Sequence, residues 1–429
     1  MKNLVVLGAG TAGTTLANRM VRTLPSGWSV TVVDPQATHL YQPGLLFLPF
    51  EQGSESPIER PRQRTLRPEV TWVREPAKTI DLDARVVVLA SGARLFYDLA
   101  VVASGTRTAP EETPGLLGPE WRRSVHDFYT LEGARALRGA LRSFQGGRLL
   151  VNVVEMPIKC PVAPLEFLFL ADDYFTRRGI RDRVELVYAT PLDSAFTKPT
   201  CSRLLASLLV EKGITVETEF AASEVDSEGR KLRSYDGREL SYELLVSVPV
   251  HKGASFIEES GLGNELAFVP TEPHTLVTKK DDHVFALGDA TDLPSSKAGS
   301  VAHFQAEVLQ ENLLSAAAGK SPRAQFDGHS NCFIESGKGK ALLIDFNYET
   351  EPLPGVFPLP VVGPMPLLKQ ARRNHWGKLA FRWVYWNLLL PGRHIPISNR
   401  MSMAGKRPPA AIRVAACPSC EKGESHANA

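Results

Sequence analysis

The sequence lacks an excess of either charge: 49 Lys and Arg residues stand against 47 Asp and Glu residues, for a net charge of +2. Without a global basic character, nucleic acid is not an expected partner. No uncharged apolar run reaches about 18 residues, the length that a membrane-spanning helix needs. The first apolar run is about seven residues long and leads into a glycine loop, so it predicts a strand and not a signal peptide. These absences favour a globular, cytoplasmic protein.

Cysteine is also scarce. A cytoplasmic chain of this length does not need structural disulfides, so a cysteine pair would indicate redox or metal chemistry. The sequence has a CxxC at Cys417 and Cys420, without a second CxxC or a histidine pair, so no metal site is predicted. We assign no role to this dithiol, and we interpret Cys201 as structural. The five cysteines are Cys160, Cys201, Cys332, Cys417 and Cys420.

Strand-like and helix-like segments alternate along the chain, which predicts an α/β fold with doubly wound parallel sheets. The alternation occurs twice, separated by a segment at 106–119 that is rich in Pro and Gly. We therefore predict two Rossmann-like domains and a different C-terminal part. The expected divisions are residues 1–115 with 270–320, residues 116–269, a membrane-interface region at 321–403, and a disordered tail at 404–429.

The N-terminal glycine motif predicts a dinucleotide site. Gly8, Gly10 and Gly13 follow an apolar strand and precede a helix-compatible stretch, which is the context that this fingerprint requires. Gly8 allows the tight turn, Gly10 lets a pyrophosphate approach the backbone, and Gly13 lets helix and strand pack closely. Asp34 ends the next strand, where a carboxylate can accept hydrogen bonds from a ribose.

Two later segments favour FAD over NAD. Ala103 and Gly105 follow an apolar strand, and Gly288 and Asp289 follow another. In this class of flavoproteins a late Gly-Asp brings a carboxylate to the ribityl chain, and a domain that binds only NAD needs neither segment.

The second α/β unit has no glycine in the turn after its first strand. The turn reads EMPIKCPVAP from Glu155 to Pro164, and its prolines remove N–H donors that a pyrophosphate would need. NAD(P)H is therefore not the expected electron donor. The turn carries Cys160 next to Lys159 at the start of a predicted helix, a position that lowers a thiol pKa.

Two further residues are candidates for the same chemistry. Glu166 lies in the first turns of the predicted helix and could accept a proton, or it could be a solvated glutamate. Cys332 lies far along the chain in GHSNC, and the spacing does not show whether the two cysteines meet.

These segments resemble the sulfide:quinone oxidoreductases, a family in the flavin disulfide reductase superfamily. The resemblance covers roughly residues 3–395 and is carried by PIKCPVAPLEFLFLADDYF, by HSNCFIESGKGKALLIDFNYETEPLP, by THLYQPG and by GDATDLPSSKAGSVAHFQ. It implies two-electron oxidation of sulfide to sulfane sulfur, with electrons passing through FAD to a membrane quinone. Cys160 and Cys332 would be the redox pair, and the last segment adds Lys297 to the cofactor site.

The chain departs from many family members in lacking a cysteine at Ser124–Leu131. In some members a cysteine there tethers the flavin, so we predict FAD held without a covalent bond and a place in the two-cysteine subgroup.

The aromatic segment at 376–390 predicts a helix that lies on a lipid surface, because it is too short and too polar to span a bilayer. Such a helix would hold the protein at the inner face of the cell membrane, where a quinone is accessible. The alternative is a core helix or a dimer contact, and a homo-oligomer stays open. The candidate quinone and membrane residues are Phe357, Trp376, Lys378, Phe381, Arg382, Trp383 and Trp386.

Three other functions are compatible with parts of the sequence. A type II NADH:quinone oxidoreductase is disfavoured by the prolines at 157–164. The flavoprotein subunit of a periplasmic sulfide:cytochrome c reductase is disfavoured by the absent signal peptide. A non-catalytic flavin redox sensor or sulfur-carrier partner would lack turnover with quinone.

Overall fold

The fold is described from a computed structural model and covers residues 1–51, 57–358, 363–395 and 397–407. Cys417 and Cys420 lie outside these residues. The helices are α1 (Thr11–Thr23), α2 (Leu131–Ser143), α3 (Ala163–Arg177), α4 (Pro199–Glu211), α5 (Ser255–Glu259), α6 (Gly299–Ala317) and α7 (Arg372–Val384), which continues into a π-helical turn at Tyr385–Leu389.

The strands of the described chain follow in order. They are β1 (Lys2–Leu7), β2 (Trp28–Val33), β3 (Thr38–Leu40), β4 (Glu59–Pro61), β5 (Thr71–Val73), β6 (Ala77–Asp81), β7 (Val86–Leu89), β8 (Arg94–Phe96), β9 (Leu99–Val102), β10 (Arg107–Thr108), β11 (Val125–His126), β12 (Gly147–Val153), β13 (Val184–Ala189), β14 (Ile214–Glu217), β15 (Ala222–Asp226), β16 (Lys231–Ser234), β17 (Glu239–Ser241), β18 (Leu244–Val248), β19 (His251–Lys252), β20 (Val277–Thr278), β21 (Asp281–Ala286), β22 (Ser330–Gly337), β23 (Lys340–Phe346), β24 (Gly355–Phe357) and β25 (Met365–Leu367).

The first sheet has the order β20-β21-β9-β1-β2-β5, and all of its pairs are parallel except β20 with β21. Alternate residues of β1 point to opposite faces. Leu4 and Val6 pack toward α1 and α6, whereas Val5 and Leu7 pack toward the antiparallel strands β6–β7–β8 and α5. Because both faces are covered, β1 reads as a continuous apolar run.

The second sheet repeats this design with the order β11-β18-β12-β13-β14, and its pairs are parallel. Leu149 and Val151 of β12 pack toward α2, α3 and α4, and Leu150 packs toward the antiparallel strands β15–β16–β17. The chain thus builds the same layered unit twice, as the mixed α/β prediction requires.

The two chain crossings between the sheets lie at β10 and β19, which pair with each other. After β19 the chain is already back in the first unit, because Phe256 and Ile257 of α5 share a core with Val5. The predicted boundary at 269/270 is therefore too late. Periodicity did not locate the crossing, because α5 is only five residues long.

The C-terminal part docks on both units. The hairpin β22–β23 packs its Ile334 and Ile344 into the same core as α3, and α7 packs against β23. Residues 404–407, where a disordered tail was expected to begin, are structured. Lys406 is buried there in an ion pair with Asp345. No helix in the described part of the chain has the length and apolarity to cross a bilayer.

Candidate active site

The first glycine turn has no room for a side chain at Gly8 or Gly13, and it leaves open space at Gly10. Gly8 has φ +104°, and a Cβ there would lie 2.6 Å from the carbonyl oxygen of Ala103, while a Cβ at Gly13 would lie 1.9 Å from the carbonyl oxygen of Gly8. At Gly10 a Cβ would meet nothing within 4 Å, so the backbone faces open space. No side chain caps the N-terminus of α1. Its first N–H groups therefore suit an anion, and the turn fits a dinucleotide pyrophosphate.

The carboxyl edge of the first sheet also fits a polar ligand. Asp34 accepts the backbone N–H of Ala9 at 2.7 Å and is 3.3 Å from Arg62, but a carboxylate can accept further hydrogen bonds. After β9, the buried hydroxyls of Ser104 and Thr106 have no hydrogen-bond partner. Unsatisfied buried hydroxyls are uncommon, so a ligand that bonds them is expected here. Ala103 is buried below them, and Gly105 takes φ +67° in the same turn.

A buried carboxyl group between two lysines marks the other predicted cofactor segment. Burial raises the pKa of Asp289, and the charges of Lys297 and Lys159 oppose that shift. Lys297 donates to the carbonyl oxygens of Asp289 and Thr291 at 2.9 and 2.6 Å, and burial lowers its pKa to about 8. Gly288 adopts φ +70°, and a Cβ there would press against α1 at 3.1 Å from Ala12.

Cys160 sits in the second turn, three residues before α3 begins, in the left-handed backbone region at φ +48°. Such a conformation costs a non-glycine residue about 1–3 kcal/mol and persists only where the surroundings hold it. Here the Cys160 N–H donates to the carbonyl oxygen of Lys297, and its own carbonyl accepts the N–H of Ala163, both at 2.8 Å. The turn is thereby tied to the segment that follows Asp289.

The prediction that the helix start and Lys159 lower the thiol pKa is wrong. Burial raises the pKa of Cys160 well above its ordinary value, and Glu166 and Cys332 raise it further. Burial also lowers the pKa of Lys159, and the charge of Asp289 opposes that shift.

Cys332 approaches from the C-terminal hairpin. It lies on β22 opposite Ile344 of β23, and it packs against the same apolar core as Cys160. Both thiols are free and half-buried. Burial raises the pKa of Cys332 to about 12, with a further contribution from Glu166. Glu166 and Lys378 influence both thiols, so the two cysteines share one electrostatic environment.

Glu166 is not a solvated glutamate. It is buried on α3, accepts the backbone N–H of Glu335 at 2.7 Å, and forms an ion pair with Lys378 of α7. Burial raises the pKa of Glu166 against the opposing charge of Lys378. For Lys378, burial alone would lower the pKa, but Glu166 and Glu335 together raise it. The site therefore holds a buried acid–base pair beside the thiols.

The aromatic segment that was expected to face lipid is exposed along one stripe and docked on the protein along the other side. Trp376 and Trp383 are 63% and 62% exposed, and Leu379 lies between them on the same stripe of α7. Lys378 and Trp386, in contrast, are turned inward. Lys378 faces Glu166, and Trp386 is buried beneath the Arg60 guanidinium, 4.3 Å from its ring centroid.

Three other candidates of this region also have internal contacts. Phe357 is buried with Leu343 and Leu367, so it does not present its ring for stacking. Phe381 is half-buried, and the guanidinium of Arg382 donates to the carbonyl oxygen of Pro57. Periodicity over the aromatic segment did not separate the exposed stripe from the docked face.

Sequence reasoning missed a polar cluster under the glycine turn. The side chain of Tyr385 lies 2.6 Å from His39 and 2.8 Å from the Thr11 hydroxyl, at the N-terminus of α1. Burial lowers the pKa of His39 to about 3 and keeps the ring neutral. Arg62 donates to the carbonyl oxygens of Ala9 and Thr38. His39 lies in the THLYQPG segment that carries the resemblance, but neither His39 nor Arg62 was expected at the site, because residues 34–70 have no clear periodicity.

A cavity of about 460 Å³ opens between α3, α7, the hairpin β22–β23 and the helical turns at 42–50. Tyr41, Phe47 and Ile58 supply apolar walls, and Lys378 and Glu335 supply charge. Its entrance includes Leu379, so the cavity opens beside the exposed stripe of α7.

The chain is similar to known proteins over most of its length. Residues 2–151 match the pyridine nucleotide-disulphide oxidoreductase family. The mitochondrial sulfide:quinone oxidoreductase of Dictyostelium discoideum is 26% identical over 401 residues, covering 91% of this chain and 86% of that protein. That of Mus musculus is 24% identical over 396 residues, with the same coverage. The solved sulfide:quinone oxidoreductase of Aquifex aeolicus shares the fold with a TM-score of 0.75, at 19% identity over 92% of both chains. The chain is thus a homologue of the sulfide:quinone oxidoreductases and a flavin-dependent oxidoreductase enzyme.

Proposed function

We propose that this enzyme binds FAD without a covalent bond, oxidises sulfide to sulfane sulfur at Cys160 and Cys332, and passes the electrons to a membrane quinone. The observation that carries the proposal is the convergence of two free thiols from distant segments on one buried acid–base pair, Glu166 and Lys378. A structural thiol needs neither a second thiol nor an acid–base pair.

The residues that would hold FAD are those of the first unit. The turn from Gly8 to Gly13 would bind the pyrophosphate, and Asp34 would bind the ribose. Residues 103–105, together with Asp289 and Lys297, would contact the rest of the FAD molecule. When bound there, FAD would supply the two-electron redox chemistry between the cysteine site and the quinone. The absence of a cysteine at 124–131 supports a non-covalent attachment.

The cysteines would act as an oxidised pair. A hydrosulfide ion attacks one sulfur, breaks the S–S bond, and leaves one persulfide and one thiolate. Which cysteine is attacked stays open. Lys378 stabilises the thiolate that is released, since its charge lowers the pKa of both thiols. Glu166 can hold the proton of the incoming sulfur, because burial raises the pKa of its carboxyl group.

The cavity beside α7 would receive the quinone head group, and the exposed stripe of Trp376, Leu379 and Trp383 would lie in the lipid interface. Arg372 and Arg373, exposed at the start of α7, would face the anionic inner leaflet of the cell membrane. Sedimentation with anionic lipid vesicles tests this contact. We expect Trp376→Ala with Trp383→Ala to lose binding, whereas binding equal to that of the unmodified protein would contradict it.

Anaerobic flavin absorbance tests the redox circuit. Sulfide should bleach the flavin, a short-chain quinone should restore its absorbance, and Cys160→Ser should slow bleaching by about 10³-fold or more, as removal of a nucleophile does elsewhere. Cys201→Ser, at a fully buried thiol, is the matched control and should bleach normally. If NADH bleached the flavin while sulfide did not, an NADH:quinone oxidoreductase would replace this proposal.

A further inference from the structure

A second acid–base pair lies next to Glu166 and Lys378. The carboxylate of Glu335, on β22, is 1% exposed and contacts His375 of α7. The Nδ1 atom of His375 lies 2.9 and 3.0 Å from the two carboxylate oxygens of Glu335. A carboxylate buried this deeply is costly unless a cationic or hydrogen-bonding partner compensates it. The His375 side chain is 23% exposed, so the partner itself reaches solvent.

The two pairs are connected. The backbone N–H of Glu335 donates to Glu166 at 2.7 Å, and Lys378 follows His375 by three residues on α7. Residues at this spacing lie on the same side of a helix. Glu335, His375 and Lys378 all line the 460 Å³ cavity. A path of polar groups therefore runs from solvent through His375 and Glu335 to the pair beside the cysteines.

One half of the reaction needs a path for protons from solvent. The overall balance is HS⁻ + quinone + H⁺ → S⁰ + quinol, so one proton enters from solvent in each turnover. The half driven by sulfide is proton-neutral, because the proton of HS⁻ stays in the reduced enzyme. The external proton is taken up in the quinone half.

We propose that His375, positioned by Glu335, is the proton inlet for quinone reduction. This inference rests on the proposed function. The imidazolium gives its proton through the cavity to the reduced quinone, and the neutral ring recovers one from solvent. Histidine is the side chain whose ordinary titration range spans neutral pH. Lys378 is less suited, since the charges of Glu166 and Glu335 keep its ammonium protonated.

Other charged groups surround the cavity and shape the same field. Glu51 stands at its rim, Asp173 and Arg177 face it from α3, and Arg382 faces it from α7. Of the charged groups that line the cavity, Glu335 is the one that contacts the His375 ring directly.

Stopped-flow kinetics on the holoenzyme separate the two halves. For His375→Gln we expect flavin bleaching by sulfide within about twofold of the unmodified enzyme, and reoxidation by quinone slowed by about 10²-fold at neutral pH, the usual effect of losing a general acid. Added imidazole should restore part of the rate. His394→Gln removes a histidine that is 81% exposed and should change neither half.

Glu335→Gln gives a second measurement that does not depend on turnover. Loss of the carboxylate should change the NMR chemical shifts of the His375 ring, identified by their absence in His375→Gln, and should slow quinone reduction but not bleaching by sulfide. An unchanged quinone half in His375→Gln, or slowing of both halves without rescue, would overturn the inlet. If sulfide failed to bleach the unmodified enzyme, the proposed function itself would fall, and the inlet with it.

Discussion

The two strand–turn–helix units of this protein have the same layered architecture, but their turns present different chemical groups. Between β1 and α1 the chain needs three residues, Gly8 to Gly10, and between β12 and α3 it uses nine, 154–162. The first turn takes its positive φ angle at a glycine, and the second takes it at Cys160. One turn exposes backbone N–H groups, while the other exposes a sulfur.

This difference shows how one scaffold serves two functions. A parallel sheet brings the carboxyl ends of its strands to one edge, where ligands bind. In the first unit, close packing of glycine against the backbone leaves a place for phosphate. In the second unit, Pro157 and Pro161 lie within the turn, and Cys160 occupies the equivalent edge.

The largest expected effect, a complete loss of bound flavin, comes from breaking the first turn. Gly13→Ala places a methyl group against the carbonyl oxygen of Gly8, which should destabilise the fold by about 3 kcal/mol and abolish flavin binding. Gly10→Ala meets only open space and should keep the fold while losing flavin, because the methyl group occupies the phosphate position. Flavin content and thermal unfolding measure both.

Gly139→Ala, in α2 with open space around it, is the matched control. It should leave the flavin content unchanged and should not lower the temperature of thermal unfolding. Retention of flavin by Gly10→Ala would show that the phosphate does not approach this position.

The next effect tests the ion pair that joins α7 to α3, the helix that follows the second turn. Lys378→Met leaves the buried carboxylate of Glu166 without its partner, which should cost about 3–5 kcal/mol in the free energy of unfolding. Adding Glu166→Gln should recover much of the loss. Urea unfolding provides the measurement. Lys231→Met, in an exposed pair with Glu239, is the control and should leave stability unchanged. Equal midpoints for Lys378→Met and the control would show that the pair is not a buried one.

The smallest effect is a pH dependence. Because burial raises the pKa of Cys332 from 9.0 to about 12, the folded protein binds more protons than the unfolded chain between these values. The contribution of this thiol to stability is thus complete below pH 9 and declines as pH rises toward 12. Between pH 9 and 10.5 the free energy of unfolding of the reduced protein should fall by about 2 kcal/mol more than that of Cys332→Ser. The same loss in both proteins would mean that the thiol is solvated.

The alternation of strands and helices in two units, the glycine turn and the unusual second turn could be predicted from the sequence, because each depends on local spacing. The crossing at β19 could not be predicted, since the signal of a five-residue helix is weak. The inward side of α7 could not be assigned either. Lys378 and Trp386 read as interfacial residues by type, but their partners Glu166 and Arg60 lie hundreds of residues away in the chain.

The sequence by itself determined the class of protein, because backbone geometry in a glycine turn and the loss of N–H donors at proline are local properties. Only the tertiary structure decided the chemistry of the cysteine site. It placed Glu166 beside the thiols and turned Lys378 toward them, and it reversed the expected direction of the Cys160 pKa. The physical reason is that burial and charge pairing depend on which distant segments pack together, and β22 and α7 meet α3 only in the folded chain.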